Sequence, residues 1–154
     1  IIFSLALSCS SSNENLPYSD SADPTSDYNA AISLAQQTNK YVMIVFGANW
    51  CPDCIEFDRQ LNHSPLKDFI DSHYIISKVN IGDFDENLDF VSQFDEPISK
   101  GIPSIVITDS DGKVHFISKA KELSSIRKMT KADVVDFFKT TTLKINNDIA
   151  LKAQ

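Results

Sequence analysis

The sequence predicts an α/β domain with a central mixed sheet, built βαβ then ββα, and helices on both faces. Three observations carry that expectation. Two apolar β-type runs, "YVMIVFG" at 41–47 and "YIISKVNI" at 74–81, are separated by helix-forming sequence. Strand, long helical crossover and strand make a βαβ unit, so these strands should run parallel. Further on, "PSIVIT" and "KVHFIS" flank "DSDG", a turn with Gly where a positive φ costs little, which predicts a hairpin. A final helix is announced by Thr130, with Asp133 at its third position in an acid variant of the capping box. The order helix, βαβ, helix, ββα gives a sheet of mixed direction packed between helices.

The elements follow in order. "IIFSLALSC" is apolar and small, and "SSSNEN" then turns polar at once, a pattern similar to the end of a secretory apolar region. The small residues before Cys9 and the serines after it also resemble a bacterial lipoprotein cleavage site, which would make Cys9 a lipidated residue. Export to a bacterial cell envelope, periplasmic or lipid-anchored, is the expectation; the plain alternative is a leader in which Cys9 does nothing. Residues 10–24, rich in Ser, Asn, Asp and Pro, read as a linker, so 1–24 stands outside the expected domain of 25–142. Tyr28, Ala31, Ile32 and Ala35 recur at helical spacing over 26–38. The run 41–47 is short and apolar enough for a buried central strand. Pro52 suits a first helical position, where its missing N–H is not needed, and Cys54, Phe57 and Leu61 then share a face. "HSP" at 63–65 breaks that helix, and a second short one can follow. "ENLDFVSQF" is helix-like. In the last helix Val134, Phe137, Phe138 and Thr141 mark the inner face, and the tail 143–154 has weak periodicity.

Composition narrows the function. Apolar residues at 42% and charged residues at 23% are an ordinary soluble balance, and 154 residues suffice for one domain with a real core. No apolar run reaches the roughly 18 residues of a transmembrane helix. A net charge of −7 argues against nucleic acid as a partner. Acids gather at 83–96 and bases at 119–131. These are two solvated faces or, in the sharper reading, a basic patch that orients an acidic partner. Nothing calls for a dimer.

The chemistry-bearing stretch is "GANWCPDCIEF", in which Cys51 and Cys54 stand two residues apart. Alone, the pair could be a redox dithiol, half a zinc site, or two core cysteines. For zinc, His63, His73 and His115 could add ligands, but a second C-x-x-C or an H-x-x-x-H is missing. A papain-like arrangement lacks its Cys–His context. A strand before "WCPDC", a helix after it, Trp50 in front and "GIPSIVI" about fifty residues on together resemble the thioredoxin superfamily, over roughly residues 25–142. "GANWCPDC", "VNIGDFDENL", "GIPSIVITDSDGKV" and "ELSSIRKMT" resemble bacterial disulfide-isomerase-like members.

The resemblance implies thiol–disulfide exchange on protein substrates, with no cofactor or metal and with a redox partner to supply or accept electrons. Cys51, placed just before the helix, would have a thiolate favoured by free N–H groups and the helix dipole, and would attack; Cys54, one turn inside, would resolve. The resemblance further implies a cis Pro103 beside the dithiol, backbone of Ile102 pairing with substrate, and Trp50 as an apolar lip; Trp50 could equally cover core. Asp53 fills a place where oxidants of the family often carry a base. Its charge, with Glu56 adding to it if near, should oppose the thiolate and give a more reducing couple than a strong oxidant's. Thioredoxin's buried acid, six residues before the first cysteine, is replaced by Val45, whereas Lys78 matches the lysine that often accompanies it. The proton acceptor for Cys54 is then Asp53, Glu56 or water. A non-catalytic adaptor docking through 83–96 or 119–131 is the alternative from another class.

Overall fold

A computed structural model of the chain describes residues 16–118 and 122–153. Cys9, the rest of the expected leader and part of the basic segment, Lys119 and Lys121, lie outside them. Helix α1 spans Pro24–Thr38, strand β1 Tyr41–Gly47, helix α2 Pro52–Leu61, helix α3 Leu66–His73 and strand β2 Tyr74–Asn80. A short helix α4, Leu88–Val91, runs into a 3-10 turn at Ser92–Phe94. Strands β3 (Ser104–Thr108) and β4 (Val114–Ile117), a 3-10 turn at Ile126–Lys128 and helix α5 (Lys131–Lys152) complete the chain.

The sheet order is β2-β1-β3-β4. β1 and β2 are parallel, with Val45 opposite Lys78 and Gly47 opposite Asn80. β1 and β3, and β3 and β4, are antiparallel. This is the expected mixed sheet, with β1 buried in its middle.

Alternation along β1 gives each face its helices. Phe46 points to one side, where its ring meets Phe90 and Phe94, and Tyr28 of α1 meets the same two rings. On the other side Phe57 of α2 stacks on Phe138 of α5 at 6.0 Å, and Tyr74 of β2 closes on Phe138 edge-on. Val45, Gly47 and Lys78 project to this second side.

Both ends of the packed unit extend beyond 25–142. α1 starts two residues earlier than its apolar spacing indicates, because the Asp23 side chain accepts the Thr25 N–H at 3.0 Å and Pro24 takes a first-turn position. The segment before it is no loose linker where described: Tyr18 is only 2% exposed and lies within the core. At the other end α5 runs to Lys152 through the expected tail, held by buried Thr142 and Ile145 and by Tyr41, whose hydroxyl donates to Asn146 at 2.6 Å. The Thr130–Asp133 capping box forms as expected, each side chain bonding the other's backbone N–H. "ENLDFVSQF" is less regular than expected. Asn87 at φ 55° delays the start of α4, and the 3-10 turn ends it.

Candidate active site

β1 ends at Gly47, and three residues of loop carry the chain to Cys51, which is the N-cap of α2. Its backbone is extended, φ −85° and ψ 111°, and its sulfur accepts the Cys54 N–H at 3.2 Å. A side-chain acceptor at this position satisfies one of the free N–H groups of the first turn, a role usually filled by Ser, Thr, Asp or Asn. Pro52 follows at the first helical position, and Cys54 lies one turn in. Both thiols are unpaired; Cys51 is 5% exposed and Cys54 fully buried.

That asymmetry separates their chemistry. The Cys51 thiol is pulled down from 9.0 to about 7. The hydrogen bond from the Cys54 side chain is the strongest influence; burial opposes it, and the backbone N–H groups of Cys54 and Asp53 add to it. Cys54 is pushed strongly upward, first by that same bond and then by burial, although the Ala48 N–H favours its thiolate. As pH rises through about 7 the pair loses one proton, and the charge it gains sits on Cys51.

The Ile102–Pro103 peptide is cis and packs against the dithiol, with the Cys51 thiol 3.8 Å from the Ile102 carbonyl. Trp50 does not cover core: it is 54% exposed, donates its indole N–H to the Gly82 carbonyl at 2.9 Å, and pairs with the exposed ring of Phe84 at 6.1 Å.

The acids arrange themselves differently from the expectation. Asp53 opposes the Cys51 thiolate, but as the weakest of the named influences. Arg127, from the 3-10 turn before α5, donates to it from its backbone N–H at 3.3 Å, Nε at 3.1 Å and Nη2 at 3.4 Å. Glu56 is not among the groups acting on Cys51. It accepts from Arg59 at 2.6 and 2.8 Å and from Gln60 at 2.8 Å, and Arg59 holds its carboxyl down at about 2. Neither is therefore a free carboxylate beside Cys54. Lys78, on the same sheet face as Val45, pairs with Asp58, an acid one helical turn beyond Cys54. Asp58 and Arg127 are site residues that the sequence reading passed over. The signal for Asp58 was its i,i+4 spacing from Cys54; for Arg127 it was only membership of the basic segment.

The histidines stand elsewhere. His63 follows α2, His73 ends α3 and His115 lies on β4. Among the described residues no group of three or more His, Cys, Asp or Glu side chains could hold a metal ion.

A helix capped by the first of two cysteines, the second buried behind it, and a cis-proline loop against the first define a thioredoxin-like domain. The chain belongs to the thioredoxin-like family, whose model matches residues 23–110. It is similar to the solved disulphide isomerase of Xylella fastidiosa Temecula1, at 38% identity and a TM-score of 0.80, over 84% of this chain and 98% of that one. It also shares its fold with a solved oxidoreductase named DsbH, at 21% identity and a TM-score of 0.54, over 74% of this chain and 80% of that one. No curated protein matches it significantly.

Proposed function

We propose that this chain is a thiol–disulfide oxidoreductase that reduces or isomerises disulfides in protein substrates. The observation that carries the reading is the division of labour at the dithiol: a helix-capping Cys51 held down at about 7 in front of a buried Cys54 pushed up. The thiolate is the nucleophile in exchange, so Cys51 attacks a substrate disulfide and forms a mixed disulfide with it. In reduction, Cys54 then attacks Cys51, the substrate leaves as a thiolate, and the chain is oxidised by two electrons. In isomerisation, a second substrate thiol releases Cys51 instead. A protein partner returns the chain to the dithiol.

The couple is more reducing than a strong oxidant's, because a thiol near 7 is far less acidic than the roughly 3.5 of such an enzyme. Trp50 and Phe84 form the apolar lip over which an unfolded chain lies, and the backbone of Ile102 pairs with it. Asp58, paired with Lys78, is the carboxylate placed to take the Cys54 proton in place of the acid absent at Val45. The leader pattern at Cys9 supports action in a bacterial cell envelope. The similarity to the Xylella disulphide isomerase supports the substrate class.

Insulin reduction tests this reading. The wild type should turn over, and Cys51→Ser should lose all turnover while keeping its fold. Turnover that survives in Cys51→Ser contradicts the assignment. A wild type without turnover that still binds unfolded chains points to an adaptor.

A further inference from the structure

Tyr18 is a buried titratable group that the exchange mechanism leaves unused, and it belongs to a segment outside the dithiol motif. Its placement is built from the N-terminal flank of that motif. The Asn49 side chain accepts the Tyr18 N–H at 3.1 Å and donates to the Tyr18 carbonyl at 2.7 Å, two residues before Cys51. Its phenol lies directly on Gly47: a Cβ there would stand 2.3 Å from both the Cζ and the hydroxyl oxygen of Tyr18. The next peptide N–H, that of Ala48, supports the thiolate of Cys54. The phenol oxygen and the Cys54 sulfur thus converge on the same Gly47–Ala48 peptide. The bonds that hold Tyr18 to Asn49 use its backbone N–H and carbonyl, which leaves the hydroxyl outside that pairing.

We infer that Tyr18 is a positioning residue for the resolving step, its hydroxyl donating to the Cys54 sulfur as that thiol ionises, while Asp58 takes the proton in place of the acid absent at Val45. This deepens the proposed exchange reaction and rests on it. Cys54 gives its proton to Asp58, its thiolate bonds to the Cys51 sulfur, the bond from Cys51 to the substrate sulfur breaks, and the substrate leaves as a thiolate. A bond made only as charge develops accelerates that step without strengthening the ground state. The charged and titratable groups around the phenol are consistent with this. Cys54 acts on it most strongly, followed by Asp58 and Cys51. Lys78 approaches from β2 through Asp58, and Asp20 on its own segment is bonded to Asn80.

The test is stopped-flow reaction with dithiobis(nitrobenzoate), which releases one coloured thiolate when Cys51 attacks and a second when Cys54 resolves. Tyr18→Phe keeps the ring and removes the hydroxyl. It should leave the first phase within about twofold, and should slow the second roughly ten- to hundredfold with its pH midpoint moved upward, the worth of a hydrogen bond to a charged group. Asn49→Ala, which keeps Tyr18 and loosens its segment, should slow the same phase to a smaller degree, and it decides the matter if Tyr18→Phe does not fold. A second phase with wild-type rate and pH midpoint in the folded variant overturns the inference. Loss of the first phase in the wild type would overturn the exchange reading itself.

Discussion

Replacing Cys54 by alanine isolates the strongest influence on Cys51, the proposed nucleophile. The Cys54 side-chain bond leads the causes that bring Cys51 from 9.0 to about 7, a lowering worth about 3 kcal/mol at about 1.36 kcal/mol per pH unit. In Cys54→Ala the backbone N–H groups of positions 53 and 54 still donate to the sulfur, while burial still opposes its charge. The midpoint should therefore rise most of the way back, to roughly 8.5. At pH 6 about a tenth of wild-type Cys51 is thiolate, against roughly one part in three hundred in the variant, so alkylation should slow about thirtyfold. The assay is the rate of iodoacetamide modification of Cys51 against pH, read by mass spectrometry of its peptide. Equal midpoints in wild type and variant, or a wild-type midpoint close to 9.0, would refute the claim that the Cys54 thiol tunes Cys51.

Three further outcomes follow from the same geometry. Arg127→Ala frees the Asp53 carboxylate and should raise the Cys51 midpoint by less than about one pH unit, because the arginine is largely exposed and its pairing is screened; the same alkylation profile checks this, and no rise contradicts it. The reduction potential should fall by about 59 mV per pH unit below about pH 7, where oxidation releases two protons. Above it, where Cys51 is already ionised, the slope should be about 30 mV. At pH 7 the potential should lie well below the roughly −120 mV of a strong oxidant, and a value at that mark would sink the direction assigned here. Gly47→Ala drives a methyl into Tyr18 at 2.3 Å and should cost about 1–3 kcal/mol in thermal denaturation; an unchanged Tm would mean that Tyr18 does not rest there.

The parts of this molecule visible in the sequence are those carried by local pattern. β1 is a continuous apolar run because it lies in the middle of the sheet, buried from both sides, and α2 announces itself through Pro52 and the Cys54, Phe57 and Leu61 face. The capping box at Thr130 needs only three residues to be recognised. What escaped depends on contacts between distant segments. The Asp53–Arg127 pairing joins residues 74 apart, and the Lys78–Asp58 pair joins residues 20 apart, with no periodicity linking either. Tyr18 sits in polar, Pro-containing sequence that reads as linker, and only the empty space over Gly47 and the reach of Asn49 draw it into the core. The last turns of α5 were hidden because Leu143 faces outward at 61% exposure while small Thr141 and Thr142 face inward, which blurs the apolar period. Val45 was legible as a missing acid; the pairing of Asp58, on the neighbouring helix, with Lys78 was not.

The central claim is that Cys51 attacks and Cys54 resolves, and a trapping experiment in cell-envelope extract meets it most directly. In Cys54→Ser the mixed disulfide has lost its resolving thiol, so substrate proteins should accumulate on the chain, released by reductant and mapped by mass spectrometry to Cys51. Cys51→Ser should trap none. An absence of adducts in Cys54→Ser, or adducts on Cys54 in Cys51→Ser, would contradict the division of roles.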